Sequence, residues 1–330
     1  MTAALRMGAR EWTLLIILSV LWGGAFFLAA VAVKEIAPFT LAFLRMAISA
    51  IALAVVAKLI GLKAPRDPKI WAGFAVLGII GTAMPFSLIY WGQTEITGGL
   101  ASILNATTPL FTIVVAHLFT HDERFNARRV AGVLTGFAGV AVIIGPSAIV
   151  HAGAGNLLAE TAVLGAAACY GIAGVFGKRF RALPPITIAC GQLTFGAVAI
   201  LPLALMFDDS VARPMPSAVA IAAVLGIALL STALAFIIYF EILRAAGATN
   251  AMLVTLLVPV SAVLLGSLIL GESLEARQFA GLAVIAFGLI LIDGRLIRVI
   301  TAKLYGPGSA DDASGLASRP MLNDAQKCRS

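Results

Sequence analysis

The sequence predicts an all-α integral membrane protein with ten transmembrane helices arranged as two inverted five-helix repeats. Three observations predict this fold class. Hydrophobic residues make up 61% of the chain and charged residues only 12%, whereas soluble domains carry about 25% charged residues. Long apolar runs alternate with short charged breaks, and the second half of the sequence repeats the first. With so few charged residues, most of the surface must face lipid.

Ten apolar runs have the length of a membrane-spanning helix. A bilayer core of about 30 Å needs about 20 residues at a rise of 1.5 Å per residue. The runs are continuous rather than alternating, which favours helices over strands, because each helix satisfies its own backbone hydrogen bonds in lipid. They fall at 13–33, 39–60, 70–90, 97–119, 128–146, 156–177, 186–206, 216–240, 249–270 and 277–293.

The distribution of lysine and arginine predicts the orientation. If the N-terminus is cytoplasmic, sixteen basic residues lie in inside segments and three lie outside. We therefore expect a multi-pass protein of the cytoplasmic (inner) membrane with both termini in the cytoplasm. The inside residues are Arg6, Arg10, Lys58, Lys63, Arg66, Lys69, Arg124, Arg128, Arg129, Lys178, Arg179, Arg181, Arg244, Arg295, Arg298 and Lys303, and the outside residues are Lys34, Arg213 and Arg277.

The two halves of the chain align at an offset of 147 to 150 residues. Because five helices is an odd number, the second copy must lie upside down, and the excess of basic residues in its loops is reversed accordingly. Inverted repeats are typical of transporters whose site lies near the midplane. The predicted units are a first repeat at 13–146, an inverted repeat at 156–293 and a disordered tail at 306–330. Matched pairs include Trp22 with Tyr170, Arg45 with Gln192, Tyr90 with Tyr239, Pro109 with Pro259, and Gly132 with Gly281.

One segment of the second half resembles a known family. Residues 250–272, with Gly281 and Gly288, are similar to the closing segment of an EamA-type repeat, and residues 109–123 are a weaker version of it. Trp22-Gly23-Gly24 and Arg45 also fit the pattern. The resemblance covers about residues 13–293 and implies the ten-helix branch of the drug/metabolite transporter superfamily. Members of that branch are inner-membrane carriers, often exporters of amino acids or other metabolites.

Arg45 is the charged side chain well inside a predicted span. It lies roughly 9 Å from the outer start of the second helix, and an intramembrane ionisable residue is a functional hypothesis by default. No predicted span has an acidic residue near its middle, so carbonyls, water or a ligand must compensate the charge. A substrate carboxylate would fit the planar guanidinium. The alternatives are snorkelling to the interface and a structural role.

Further residues are candidates for the walls and polar contacts of a binding site. Trp22 and Tyr170 lie in mid-helix at matched positions and are expected to form apolar walls, with Gln192 as a second polar contact. Asn105 and Thr108 form a polar patch before Pro109, although such groups also hydrogen-bond between helices. The other aromatic candidates, Tyr90, Trp91 and Tyr239, fit either a cavity or the interfacial aromatic belt.

Matched prolines and glycines suggest two further roles. Pro109 and Pro259 each remove a helical hydrogen bond, and their symmetric placement predicts hinges, with simple kinks as the alternative. The glycines Gly132, Gly136 and Gly139 allow close approach of helices in lipid. They are expected to pack within the monomer, with a homodimer face as the alternative.

The sequence lacks the motifs of several other function classes. The three cysteines form neither a metal site nor a disulfide framework, and no P-loop or nucleophile–base pair is present, so no cofactor, metal or catalytic residue is expected. The basic charge lies in short loops and does not indicate nucleic acid. We expect a secondary transporter that exports a small neutral or anionic amphipathic metabolite, such as an amino acid. The alternatives are a non-transporting accessory or scaffold subunit and an intramembrane enzyme.

The predicted orientation can be tested with single cysteines introduced after Cys169, Cys190 and Cys328 are replaced by alanine. A cysteine in the 63–68 loop should react only with reagents that reach the cytoplasm. One at 152–155 should react with a membrane-impermeant maleimide added to intact cells. The reverse labelling pattern would contradict both the orientation and the inverted repeat.

Overall fold

A computed structural model describes residues 7–96, 98–120, 127–144, 157–208, 215–270 and 276–293, so the predicted tail at 306–330 lies outside the described residues. These residues form ten helical stretches. They are α1 Ala9–Ala32, α2 Pro38–Leu59, α3 Pro68–Glu95, α4 in two segments Gly98–Asn105 and Thr108–Phe119, α5 Ala127–Ile144, α6 Leu157–Gly177, α7 Pro185–Phe207, α8 Ala218–Ala246, α9 in two segments Ala248–Met252 and Val254–Leu270, and α10 Ala276–Asp293.

The helices confirm the predicted all-α membrane fold. Seven helices in the described ranges are long and apolar enough to cross a membrane. The three shorter apolar helices are Val130–Val142 in α5, Ala248–Ser261 in α9 and Phe279–Ile292 in α10. For these three, the crossing of the bilayer stays a prediction, as do the exact repeat boundaries.

Helices α3 and α8 are longer than the sequence predicted, because the chain stays helical past the polar residues that follow Tyr90 and Tyr239. Each also contains a π-helical segment, Ile79–Ala83 in α3 and Leu229–Leu234 in α8. The two segments occupy matched positions and carry the similar sequences Gly-Thr-Ala and Ser-Thr-Ala. A π segment shifts the hydrogen-bond register by one residue and often marks a functional position.

The principal packing in the protein is between the two halves, and each contact has its counterpart. Helix α2 packs on α7, and α5 packs on α10. Helix α1 of the first half packs on α8 and α9, while α6 of the second half packs on α3 and α4. Likewise, the contact of α3 with α7 is matched by that of α2 with α8. The halves therefore interlock about a pseudo-two-fold relation.

Glycines permit the closest of these crossings. A Cβ atom built on Gly288 of α10 would lie 2.7 Å from the carbonyl oxygen of Gly132 and 2.7 Å from the amide nitrogen of Gly136 in α5. Similarly, a Cβ on Gly78 of α3 would lie 2.7 Å from the amide nitrogen of Gly196 in α7. The Gly132, Gly136 and Gly139 row thus packs within the chain, as expected.

Contacts between helix ends join segments that were predicted to share a membrane side. On one side, the Glu35 carboxylate accepts hydrogen bonds from the Ser217 backbone N–H at 2.6 Å and from its hydroxyl at 2.8 Å. These bonds, the backbone one first, lower the pKa of Glu35. On the other side, Arg10 lies 3.8 Å from Glu241. The structure supports the alternation of sides, whereas the cytoplasmic assignment stays a prediction.

Gly288→Ala should destabilise the protein, because the new methyl group would meet the backbone of α5. Overpacking of this kind costs roughly 1–3 kcal/mol and should lower the melting temperature of the detergent-purified protein. Gly24→Ala is the matched control, since a Cβ there has no neighbour within 4 Å. Equal melting temperatures for the two variants would contradict the close α5–α10 crossing.

Candidate functional site

A cavity lies between the two halves and is lined by residues of α1–α4 and α6–α9. Its volume is about 70 Å³, which is room for several waters or a small organic molecule. Along α3 it extends from Leu77 to Gln93, roughly 24 Å of helix.

Arg45 of α2 lies in this cavity and is held by both halves of the protein. It is only 7% exposed. Its Nε donates to the Thr232 hydroxyl at 2.6 Å, and its Nη2 donates to the Ser231 carbonyl at 3.3 Å, both in the π segment of α8. Its Nη1 donates to the Tyr90 hydroxyl of α3 at 2.8 Å. Snorkelling is thereby excluded, because the guanidinium is anchored inside the protein.

Protein oxygens and an aromatic ring surround the Arg45 guanidinium. The ring of Phe86 lies 3.9 Å from its central carbon, an attractive cation–π arrangement. No carboxylate among the described residues forms an ion pair with Arg45. A guanidinium has five N–H donors, and the three hydrogen bonds to protein leave two available. A ligand carboxylate can accept from these two donors.

Matched side chains lie against the two π segments, with hydrogen bonds to the segment in the case of Arg45. The Thr232 hydroxyl accepts a hydrogen bond from Nε of Arg45 and donates one to the Ile227 carbonyl at 2.8 Å. In the other half, Gln192 lies against the π segment of α3, since a Cβ on Gly81 would be 2.8 Å from its Nε2. The sequence pairing of Arg45 with Gln192 therefore corresponds to a real structural equivalence.

Aromatic rings form the apolar walls of the cavity. The ring of Trp22 lies 6.3 Å from Phe236 and 5.9 Å from Tyr239, and the ring of Tyr170 lies 6.5 Å from Phe86. Tyr90 and Tyr239 are 2% and 6% exposed and line the cavity. Of the two locations left open by the sequence, these tyrosines therefore occupy the cavity and not the interfacial belt.

Three amide side chains bring polar atoms to the cavity that have no hydrogen-bond partner among the described residues. They are Oδ1 of Asn105, Oε1 of Gln192, and both Oε1 and Nε2 of Gln93. Thr255, which matches Asn105 in the repeat, lines the same cavity. Buried polar groups without partners are rare in native proteins, so the cavity is built to receive polar groups.

Two cavity assignments differ between sequence and structure: Thr108 was predicted to be a site residue and lies outside the cavity, and Gln93 lines the cavity but was not predicted. Thr108 is absent from the cavity lining: it is fully buried, and its hydroxyl donates to the Asn105 carbonyl at 2.7 Å. Gln93 was missed because it lies near a helix end, where polar residues are ordinary. The available signal was its spacing of three residues from Tyr90 and seven from Phe86, which places all three on one face.

The two prolines differ in their local structure. Pro109 lies in the first turn of the second segment of α4, where its missing N–H costs nothing. It therefore follows a helix break at 106–107, in contrast to the mid-helix kink that the sequence predicted. Pro259 lies inside the second segment of α9, six residues after the break at Leu253. Both helices are interrupted beside the cavity, so the hinge interpretation stays a prediction for each.

The residues that the structure describes contain no group of three or more metal-binding side chains. The polar chemistry of the site thus comes from one guanidinium, three amides and several hydroxyl groups. Such groups can bind and orient a small molecule through hydrogen bonds.

The chain is similar to known proteins over nearly all of its helices. The EamA-like transporter family matches it twice, at residues 10–145 and 157–293. An uncharacterized transporter of Archaeoglobus fulgidus is 27% identical, over 86% of this chain and 98% of that protein. The uncharacterized inner membrane transporter YedA of Escherichia coli K12 is 26% identical, over 83% of this chain and 88% of that protein.

Two further comparisons concern an exporter and a solved structure. A probable terminal-alkyne amino-acid exporter of Streptantibioticus cattleyicolor is 26% identical, over 89% of this chain and 96% of that protein. A crystal structure of 18% sequence identity superposes with a TM-score of 0.70, over 86% of this chain and 98% of that chain. At this identity the crystal structure shows the shared fold alone.

Proposed function

The chain belongs to the EamA-like transporter family, and from that membership we propose that it is a secondary transporter that exports a small amphipathic metabolite. The substrate is neutral or anionic, with amino acids as the leading class. Transport follows from the family and from homologues that are named transporters. Export and the amino-acid class are supported by the similarity to the probable amino-acid exporter.

The observation that carries the substrate class is the chemistry of the cavity between the halves. Two N–H donors of Arg45 are available to a carboxylate, and charge-assisted bonds of this kind are strong. The rings of Trp22 and Tyr170 offer apolar walls, and the amides of Asn105 and Gln192 offer polar contacts. A molecule with one anionic end, further polar groups and an apolar part fits all of these features.

Alternating access would arise from motion of one half against the other around this site. The breaks in α4 and α9 and the π segments in α3 and α8 adjoin the cavity. Each is a place where backbone hydrogen bonding departs from the regular helix, so bending there costs less than elsewhere. Binding at Arg45 connects α2 with α8 and would thus couple substrate occupancy to the relative position of the halves.

A ligand screen of the purified protein tests the substrate class directly. A ligand that binds the native state raises its apparent stability by RT ln(1 + [L]/Kd). We expect amino acids or related carboxylates to raise the melting temperature and to show flux in reconstituted vesicles. An accessory or scaffold protein would show no flux.

Arg45→Gln should weaken binding of the acidic ligand found in this screen by roughly ten- to hundredfold, because charge-assisted hydrogen bonds contribute about 1.5–3 kcal/mol. Arg45→Lys keeps the positive charge but loses the planar set of guanidinium N–H donors, so it should weaken binding of the ligand less than Arg45→Gln does. Titration by calorimetry measures the affinities. Arg244→Gln is the control, since that arginine is exposed and pairs with Glu241 at 2.7 Å. A folded Arg45→Gln protein with unchanged affinity would remove Arg45 from the binding site.

Pro109→Ala would let the second segment of α4 extend toward the break at 106–107, and Pro259→Ala would restore a helical hydrogen bond in α9. Both should slow transport while leaving ligand affinity within a few-fold, since bending and binding are separate steps. Initial flux rates in proteoliposomes, paired with titration of the detergent-purified variants, separate the two effects. Pro202→Ala is a matched control, because this proline lies inside α7 and faces outward. Wild-type flux in both the α4 and the α9 variant would contradict the hinge role of these prolines.

A further inference from the structure

Gln93, in the last turns of α3, presents an uncompensated polar group to the cavity. Both its amide oxygen and its amide nitrogen are buried, and neither has a hydrogen-bond partner in the described part of the chain. Leaving a buried amide unsatisfied is unfavourable, so its position calls for an explanation.

The amide lies on the same helical stripe as the residues around Arg45. Phe86, Tyr90 and Gln93 follow one another at spacings of four and three residues, and all three line the cavity. Tyr90 accepts the hydrogen bond from Arg45 at 2.8 Å. Gln93 is one turn farther along α3, roughly 4.5 Å beyond Tyr90 at the helical rise. A molecule bound at Arg45 therefore extends within reach of Gln93.

The backbone that carries Gln93 is held closely against α6. A Cβ atom on the preceding residue, Gly92, would lie 2.8 Å from a methyl group of Val163 and 3.3 Å from the carbonyl oxygen of Ala159. The end of α3 is also closed by a 2.9 Å bond from the Ile96 N–H to the Gly92 carbonyl. The helix cannot rotate to bring the amide to another partner without losing this packing.

The repeat shows that the fold itself does not need an amide at this position. With Tyr90 matched to Tyr239, the counterpart of Gln93 is Ile242, a fully buried apolar side chain. The two halves otherwise share their helix crossings and π segments. Of these two matched positions, only position 93 lines the cavity, and only position 93 carries a polar side chain. The amide therefore fits a ligand in the cavity better than a role in packing.

We propose that Gln93 is a specificity-determining residue that binds a neutral substrate group able both to donate and to accept hydrogen bonds, such as a carboxamide or a hydroxyl. This inference rests on the proposed function, because it assumes that the transported molecule occupies the cavity. The substrate carboxylate lies at Arg45, and the neutral polar group lies one helical turn away at Gln93. The free Oδ1 of Asn105 accepts from a further donor of the same molecule, such as an ammonium group.

An amide in this position discriminates chiefly against apolar isosteres. A ligand with a methyl group in place of the hydroxyl or amide would leave both atoms of Gln93 unsatisfied after displacing water from them. Sites built to hydrogen-bond a substrate group reject the analogue that lacks it far more strongly than apolar pockets reject small changes. Selectivity between polar and apolar ligands of equal size is therefore the property that Gln93 controls.

Isosteric amino-acid pairs test the inference: threonine against valine, and asparagine against leucine. In the wild-type protein the polar member of each pair should bind at least about tenfold more tightly than the apolar member. In Gln93→Met, which keeps the length but not the hydrogen bonds, this ratio should fall to about one or invert. Thr94→Val, at the exposed neighbouring position, is the control and should keep the wild-type ratio.

A second measurement needs no ligand. Gln93→Met removes an amide that has no hydrogen-bond partner among the described residues, so the melting temperature of the empty protein should not fall. A glutamine with an essential structural bond would instead lower the melting temperature when replaced. A fall in stability would therefore overturn the inference even if ligand binding were also lost.

The outcomes separate the inference from the proposed function. A folded Gln93→Met protein with the wild-type polar-to-apolar ratio would overturn the role of Gln93 and leave transport intact. Equal binding of both members by the wild type would do the same. Wild-type vesicles that move none of the four amino acids, with no thermal stabilisation by any of them, would reject the amino-acid class and this inference with it.

Discussion

A permanent positive charge inside an apolar interior is the constraint on which the arrangement of the halves depends. Moving such a charge into the membrane interior is costly unless hydrogen-bonding groups replace its water. Arg45 finds these groups on α3 and on the π segment of α8, with Phe86 against its face. Three helices from two halves are thereby fixed around one side chain, and the cavity takes its shape from their separation.

The backbone of the protein is nearly symmetric, whereas the chemistry of its cavity is not. Matched π segments lie against Arg45 in one half and Gln192 in the other, and matched glycines permit the close crossing of α5 and α10. Yet Arg45 carries a charge whereas its counterpart Gln192 does not, and Gln93 faces the cavity whereas its counterpart Ile242 packs in the core. The repeat therefore supplies a scaffold, and departures from the repeat supply the polarity of the site.

Features that depend on composition and repetition could be predicted from the sequence. Apolar length gave the helices to within a few residues, and comparison of the halves brought Trp22, Tyr170, Arg45 and Gln192 to one cavity that also includes Asn105. Features that depend on helical phase could not be predicted. The π segments alter the register of α3 and α8, so which face of each helix after the segment turns inward follows only from the folded backbone, although the spacing of Phe86, Tyr90 and Gln93 shows that these three share a face. Thr108 lies one residue past a break that reorients α4, which directs its hydroxyl to a carbonyl instead of the cavity.

The interlocking of the halves has a consequence for the order of synthesis. Since most helix contacts run between halves, the first five helices reach the bilayer before the surfaces that cover them exist. Arg45 and its acceptor Thr232 are 187 residues apart, so at roughly 5–20 residues per second the ribosome needs about 10–40 s to supply that partner. During this interval the guanidinium has only partners from its own half and water. The hydrogen bonds that hold Arg45 between the halves can therefore form only after α8 has been translated, and the packing of α5 only after α10.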